Sequence, residues 1–157
     1  MRTYTKQEID NCRNSFREKR YSEVSATFGN RNFSYFELPR ELNPHLPNFV
    51  FRCTGKPKDG YVLGISEDVR PDFRKYAVAH EFIEFIEPGA DMPGRCVKAL
   101  EEELKLVPYA IRREYLEMRR DFFINLVIYS LNHPEGFTES DINEFRQSLG
   151  KLEKLAK

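Results

Sequence analysis

One histidine and two glutamates stand together in the segment Tyr76-Ala77-Val78-Ala79-His80-Glu81-Phe82-Ile83-Glu84-Phe85. On a helix, at about 100° per residue, His80 and Glu84 lie roughly 40° apart on one face. Glu81 lies about 100° round from His80, on the flank beside Glu84. Val78, Phe82 and Phe85 supply apolar surface elsewhere around the helix. Such a helix is partly buried, and ionisable groups clustered on it are costly unless they are paired. A divalent metal is one way to pair them. An imidazole and a carboxylate at i and i+4 can bind the same ion, and a carboxylate beside the first ligand can act as general base on a water activated by it. The plainer alternative has His80 bonded to a backbone carbonyl, with Glu81, Glu84 and Glu87 on a solvated face.

The rest of the chain offers weaker chemistry. No GxSxG, phosphate-binding loop or dinucleotide fingerprint occurs. His45 and His133 sit beside prolines in loop-like segments. Arg112-Arg113 and Arg119-Arg120 recur at i and i+7, but Glu114, Glu117 and Asp121 neutralise them, and a solvated helix face is the simpler reading. Cys12, Cys53 and Cys96 are odd in number and form no CxxC pair. Reduced, mostly buried thiols in a cytoplasmic protein are expected.

The scaffold around these residues can be read from the pattern along the chain. Thr5 with Glu8 three residues on forms a capping-box signal, and Ile9, Cys12 and Phe16 recur at helical spacing, so a helix is expected from Thr5 to about Val24. Ser25 to Asn32 reads as a turn. FSYFEL, NFVFRC and YVLGIS are rich in aromatic and β-branched residues and are bounded by Pro, Gly or Asn. They predict about three strands of a small, mainly antiparallel sheet between Phe33 and Ser66. Helices are then expected over Pro71 to Glu87, ended by Pro88-Gly89, over Pro93 to Leu106 after the loop GADMPG, over Tyr109 to Leu131, and from Thr138 onward. The fold class is α+β, with a helical bundle that carries the His-Glu segment after the sheet, in a single domain over residues 1–157.

AVAHEFIEF resembles the active-site helix of zincin metallopeptidases, whose motif is HExxH, and in particular the short ImmA/IrrE-type proteins, where a small sheet precedes the motif helix. Here Glu84 stands where the family has its second histidine, giving HExxE. The resemblance implies a zincin-like fold, metal ligands His80 and Glu84, and Glu81 as the catalytic base. In the gluzincin pattern a Glu on a later helix is the third ligand and an Asp four residues on orients a histidine. That carries over to Glu117 as ligand and Asp121 as the residue holding His80, with Glu114, one turn earlier, as the alternative third ligand. Zn2+ is the implied ion, and the extra negative charge of a His-Glu-Glu set shifts preference toward Mn2+ or Fe2+.

The function so implied is a metal-dependent hydrolase, a small cytoplasmic peptidase-like protein acting on a peptide or protein. The strand before the motif helix, Tyr61 to Ile65, would pair as an edge strand with an extended substrate. The alternative is a catalytically silent zincin-like domain without metal, binding a protein partner. Composition bounds both readings. The 25 basic residues equal the 25 acidic ones in number, so no excess of positive charge points to nucleic acid. The longest apolar stretch, Phe122 to Leu131, is about half the roughly 20 residues a membrane crossing needs. The N-terminal MRTYTKQEIDNCR lacks the apolar core of a signal peptide. The oligomeric state has no signature in the sequence.

Overall fold

A computed structural model of the chain describes residues 3–87 and 95–156. The first helix, α1 (Lys6–Glu18), starts with the expected capping box: the Glu8 backbone donates to Thr5 Oγ1 and the Thr5 backbone to Glu8 Oε1. It ends earlier than its pattern suggests. Arg20 adopts a left-handed φ of 61°, and the Tyr21 amide turns back onto the Phe16 carbonyl, closing the helix end.

Beyond this cap the chain forms a strand and not more helix. β1 (Glu23–Phe28) pairs antiparallel with β2 (Arg31–Leu38) around a two-residue turn at Gly29-Asn30, with Phe28 opposite Arg31. Gly29 has φ 61°, a conformation suited to a tight hairpin. β3 (Val50–Thr54) and β4 (Tyr61–Ser66) form a second antiparallel pair. β4 also runs parallel to β2, giving the order β1-β2-β4-β3. Among the described residues the sheet therefore has four strands, mostly antiparallel. β4 is a central strand, so the edge next to the helices is β3.

Alternation along the strands sends neighbouring residues to opposite faces. Phe36 and Phe51 pack against Phe16 of α1. Phe33, of the opposite parity, stacks on Phe82 of α2 (Arg74–Phe85) at 4.9 Å between ring centroids. Both faces are covered, which is why Val62 to Ser66 are all buried.

α2 continues from a short 3-10 turn at Pro71–Phe73. Arg74 pins its start, reaching Glu37 of β2 and the carbonyls of Glu67 and Val69. α3 (Arg95–Leu106), α4 (Tyr109–Asn132) and α5 (Glu139–Leu155) complete the helical layer: α3 packs on α2 and α5, and α5 on α4. Thr138 caps α5 with Asp141 as its capping-box partner. The expected stop at Pro88-Gly89, the GADMPG loop and the helix start at Pro93 lie outside the described residues. Among the described residues, no helix is long and apolar enough to cross a membrane.

Candidate metal centre

α2 turns His80 and Glu84 inward together. His80 is 2 % exposed and Glu84 8 %, and Nε2 of His80 lies 3.0 Å from Glu84 Oε2. The i,i+4 pairing expected from the sequence is thus present, in the interior and not on a solvated face.

The other partners come from α3. Cys96 and Glu103 are seven residues apart, about two turns, and therefore share one face of that helix. That face meets the imidazole at both ring nitrogens. Cys96 Sγ lies 3.7 Å from Nε2, and Glu103 Oε1 lies 2.8 Å from Nδ1. Glu103 is itself held. The Tyr115 hydroxyl donates to it, Arg119 Nη2 donates to Oε1 at 3.1 Å, and Arg119 Nε stands 2.8 Å from Oε2. Glu103, Tyr115 and Arg119 are each at most 1 % exposed. Ser148 of α5 donates to Cys96 Sγ at 3.2 Å.

The charges are tuned by these contacts. Burial resists charging of His80, but Cys96, Glu103 and Glu84 together hold the imidazole well above its ordinary pKa. Glu103 goes the other way: burial opposes its ionisation, and Arg119, His80 and Tyr115 overcome that and lower it. Burial raises the Cys96 thiol, with His80 pulling it partly back. Burial and the neighbouring Glu84 raise Glu81. Glu81 makes no side-chain hydrogen bond among the described residues and lines the same pocket as His80, Glu84 and Cys96.

The donor set is one that could hold a metal ion. One ligand atom from each of His80, Glu84 and Cys96 lies within 4.8 Å of the others, and all three residues are buried. At metal–ligand distances of about 2.0–2.3 Å, the edges of a tetrahedron are roughly 3.3–3.8 Å long. The 3.7 Å from Nε2 to sulfur matches such an edge, and the 3.0 Å from Nε2 to Glu84 is a little shorter. Glu103 on Nδ1 orients the ring so that Nε2 faces the other two donors, and Nε2 must give up its proton for a metal to bind there.

The later-helix acids lie elsewhere. α4 turns Tyr115, Arg119 and Phe123 inward, which puts Glu114, Glu117 and Asp121 outside. Glu114 pairs with Arg70 at 3.0 Å, Glu117 lies 3.8 Å from Arg113, and Asp121 3.8 Å from Arg120. All three are exposed. The role expected of Asp121, holding the second nitrogen of His80, falls to Glu103. The third donor beside His80 and Glu84 is Cys96. Arg119, read from the sequence as part of a solvated pair, is a buried member of the cluster.

Cys96 and Glu103 escaped the sequence reading, yet a signal was there. The buried positions of α3 and its end are Cys96, Ala99, Leu100, Glu103, Leu104 and Val107. Glu103 falls on that apolar stripe, out of phase with Glu101 and Glu102. A carboxylate in core register needs a partner.

Comparison with family models, with curated proteins and with solved structures finds no match for this chain.

Proposed function

We propose that this chain is a metal-dependent hydrolase of zincin-like, peptidase-like type, with His80, Glu84 and Cys96 as the metal ligands and Glu81 as the catalytic base. The observation that carries this reading is the convergence of three donors of ligand type in a buried pocket, with the imidazole locked from behind by Glu103. A thiolate donor favours Zn2+ over Mn2+, the reverse of what an all-carboxylate completion would do. The charges also balance: Zn2+ offsets Glu84 and the Cys96 thiolate, while Arg119 offsets Glu103.

The ion would supply Lewis acidity, activating a water and polarising a carbonyl oxygen. Glu81 then takes the proton of the attacking water and returns it to the leaving amine. β3 is an edge strand whose Val50, Phe51 and Arg52 line the pocket; the Tyr4 amide occupies the Thr54 carbonyl at one end of that edge, and the Val50 end is the place for an extended peptide to pair. Free thiols at Cys12, Cys53 and Cys96 fit a reducing, cytoplasmic setting.

The metal-free interaction domain is the second reading, and it too has an observation behind it. A protonated His80 between Glu84 and Glu103, with Arg119 behind, is also charge-neutral. Cys96 as a nucleophile with His80 as its base is weaker, because Glu84 competes for Nε2 from 3.0 Å. The test is zinc content and hydrolysis of unstructured peptides by the wild type and by Glu81→Gln. Expected are equal zinc contents and a hydrolysis rate lowered by roughly 10²–10⁴-fold in the variant. A zinc-free protein without activity supports the interaction domain instead.

A further inference from the structure

The pocket over the cluster is a cavity of about 400 Å³. Its lining carries ionisable groups (His80, Glu81, Glu84 and Cys96, with Arg52 and Arg119) and apolar side chains from four elements: Val50 from β3, Leu126 from α4, Phe137 from the connection before α5, and Phe145 from α5. Among the described residues, the further polar groups in the lining are Asn43 and the hydroxyls of Tyr4 and Tyr129. A charged group placed against the apolar side chains would lose its water there.

Two features separate this hollow from an ordinary core gap. Val50, Leu126 and Phe137 are only partly buried, although they pack against the core, so the walls carry apolar surface that a guest would remove from water. The volume lies near the lower end of the roughly 300–1,000 Å³ of small-ligand pockets. It suits one side chain and the adjoining reacting group.

Resting on the hydrolase reading above, we infer that the preferred substrate carries a large apolar side chain, aromatic or branched aliphatic, next to the bond attacked. That side chain seats against Leu126, Val50 and Phe137, while the scissile carbonyl lies at the His80–Glu84–Cys96 end beside Glu81. Substrates with a charged group at that position bind less well than those with an apolar one.

Three hydroxamates that share one metal-binding head test this on the zinc-loaded protein by calorimetry: acetohydroxamate, 3-phenylpropanohydroxamate and the monohydroxamate of succinic acid. The phenyl tail is expected to tighten binding at least tenfold over acetohydroxamate, and the carboxylate tail to give no gain. Leu126→Glu should erase the phenyl advantage. A second arm needs no metal and no variant. 3-Phenylpropanamide titrated into chelator-treated wild-type protein should shift the NMR resonances of Leu126 and Val50 methyl groups. Absence of zinc binding with those shifts present would sink the hydrolase reading and keep the apolar pocket. Equal affinities for the three tails, or no shift with phenylpropanamide, would overturn the inference itself.

Discussion

Glu103 Oε1 sits 2.8 Å from Nδ1 of His80, across the contact between α3 and α2, with both side chains sealed from solvent. The pairing orients the ring so that Nε2 faces Glu84 and Cys96. It also ties a buried carboxylate to a buried guanidinium, since Arg119 leans on the same Glu103.

Removing Glu103 should therefore unbalance the core. Glu103→Ala leaves Arg119 buried and unpaired, and a loss of about 3–5 kcal/mol in unfolding free energy is expected from urea denaturation. Glu103→Gln keeps the shape and part of the hydrogen bonding and should cost less. If zinc binds, Glu103→Gln should also weaken it by roughly 10–100-fold, because the imidazole loses its orienting acceptor.

The three exposed acids of α4 provide the contrast. Glu114→Ala, Glu117→Ala and Asp121→Ala should each change stability by no more than about 0.5 kcal/mol and leave zinc affinity unaltered in a chelator competition. Cys96→Ala in the same assay should weaken zinc binding strongly. A large effect at Glu117 and none at Cys96 would favour the ligand set that the sequence alone suggests.

How far the chain could be read without coordinates differs from residue to residue. His80, Glu81 and Glu84 were legible because helical spacing within one segment fixes their relative directions. Cys96 was not, since it lies on another helix and forms no CxxC pair. Glu103 hid in Glu101-Glu102-Glu103, which reads as solvated until the phase of Cys96, Leu100 and Val107 is traced through it. In the sheet, β2, β3 and β4 announced themselves by aromatic and β-branched runs. β1 did not, because EVSATF is an edge strand with one buried position, Ala26, and its polar residues continue the helical pattern before it. The parallel pairing of β2 with β4 puts β4 inside the sheet. Strand order of that kind depends on long-range contacts that local composition does not encode.

The pH dependence of the metal-free protein is set by the same contacts. The folded pKa of His80 is raised, so its stabilisation is complete below the unfolded value of about 6.5 and is lost as pH rises through the folded value. Glu103 is lowered, so its contribution holds above about 4.3 and is lost as pH falls through the folded value. Glu81 is raised and adds to the decline on the alkaline side. Urea midpoints measured in chelator should peak in mildly acid solution, at about pH 5–6, and fall toward pH 8. Zinc affinity should rise over that interval, since binding requires a neutral imidazole and a thiolate.

Cysteine reactivity gives an independent check. The Cys12 thiol is pushed up to about 11, by burial first and then by its neighbour Cys53. Alkylation by iodoacetamide at pH 8, with peptide mass mapping, should label Cys12 about 100-fold more slowly than a free thiol. Cys96, 2 % exposed, should be slower to label in zinc-loaded than in chelator-treated protein.

Titration with Co2+, monitored through its thiolate-to-metal charge-transfer absorption, tests the centre most directly. That band arises when a cysteine sulfur is a ligand. The expected result is a band that saturates at one ion per chain, disappears when zinc is added, and is absent in Cys96→Ala while present in Glu117→Ala. No band at neutral pH in the wild type, or a band that survives Cys96→Ala, would contradict a centre built from His80, Glu84 and Cys96.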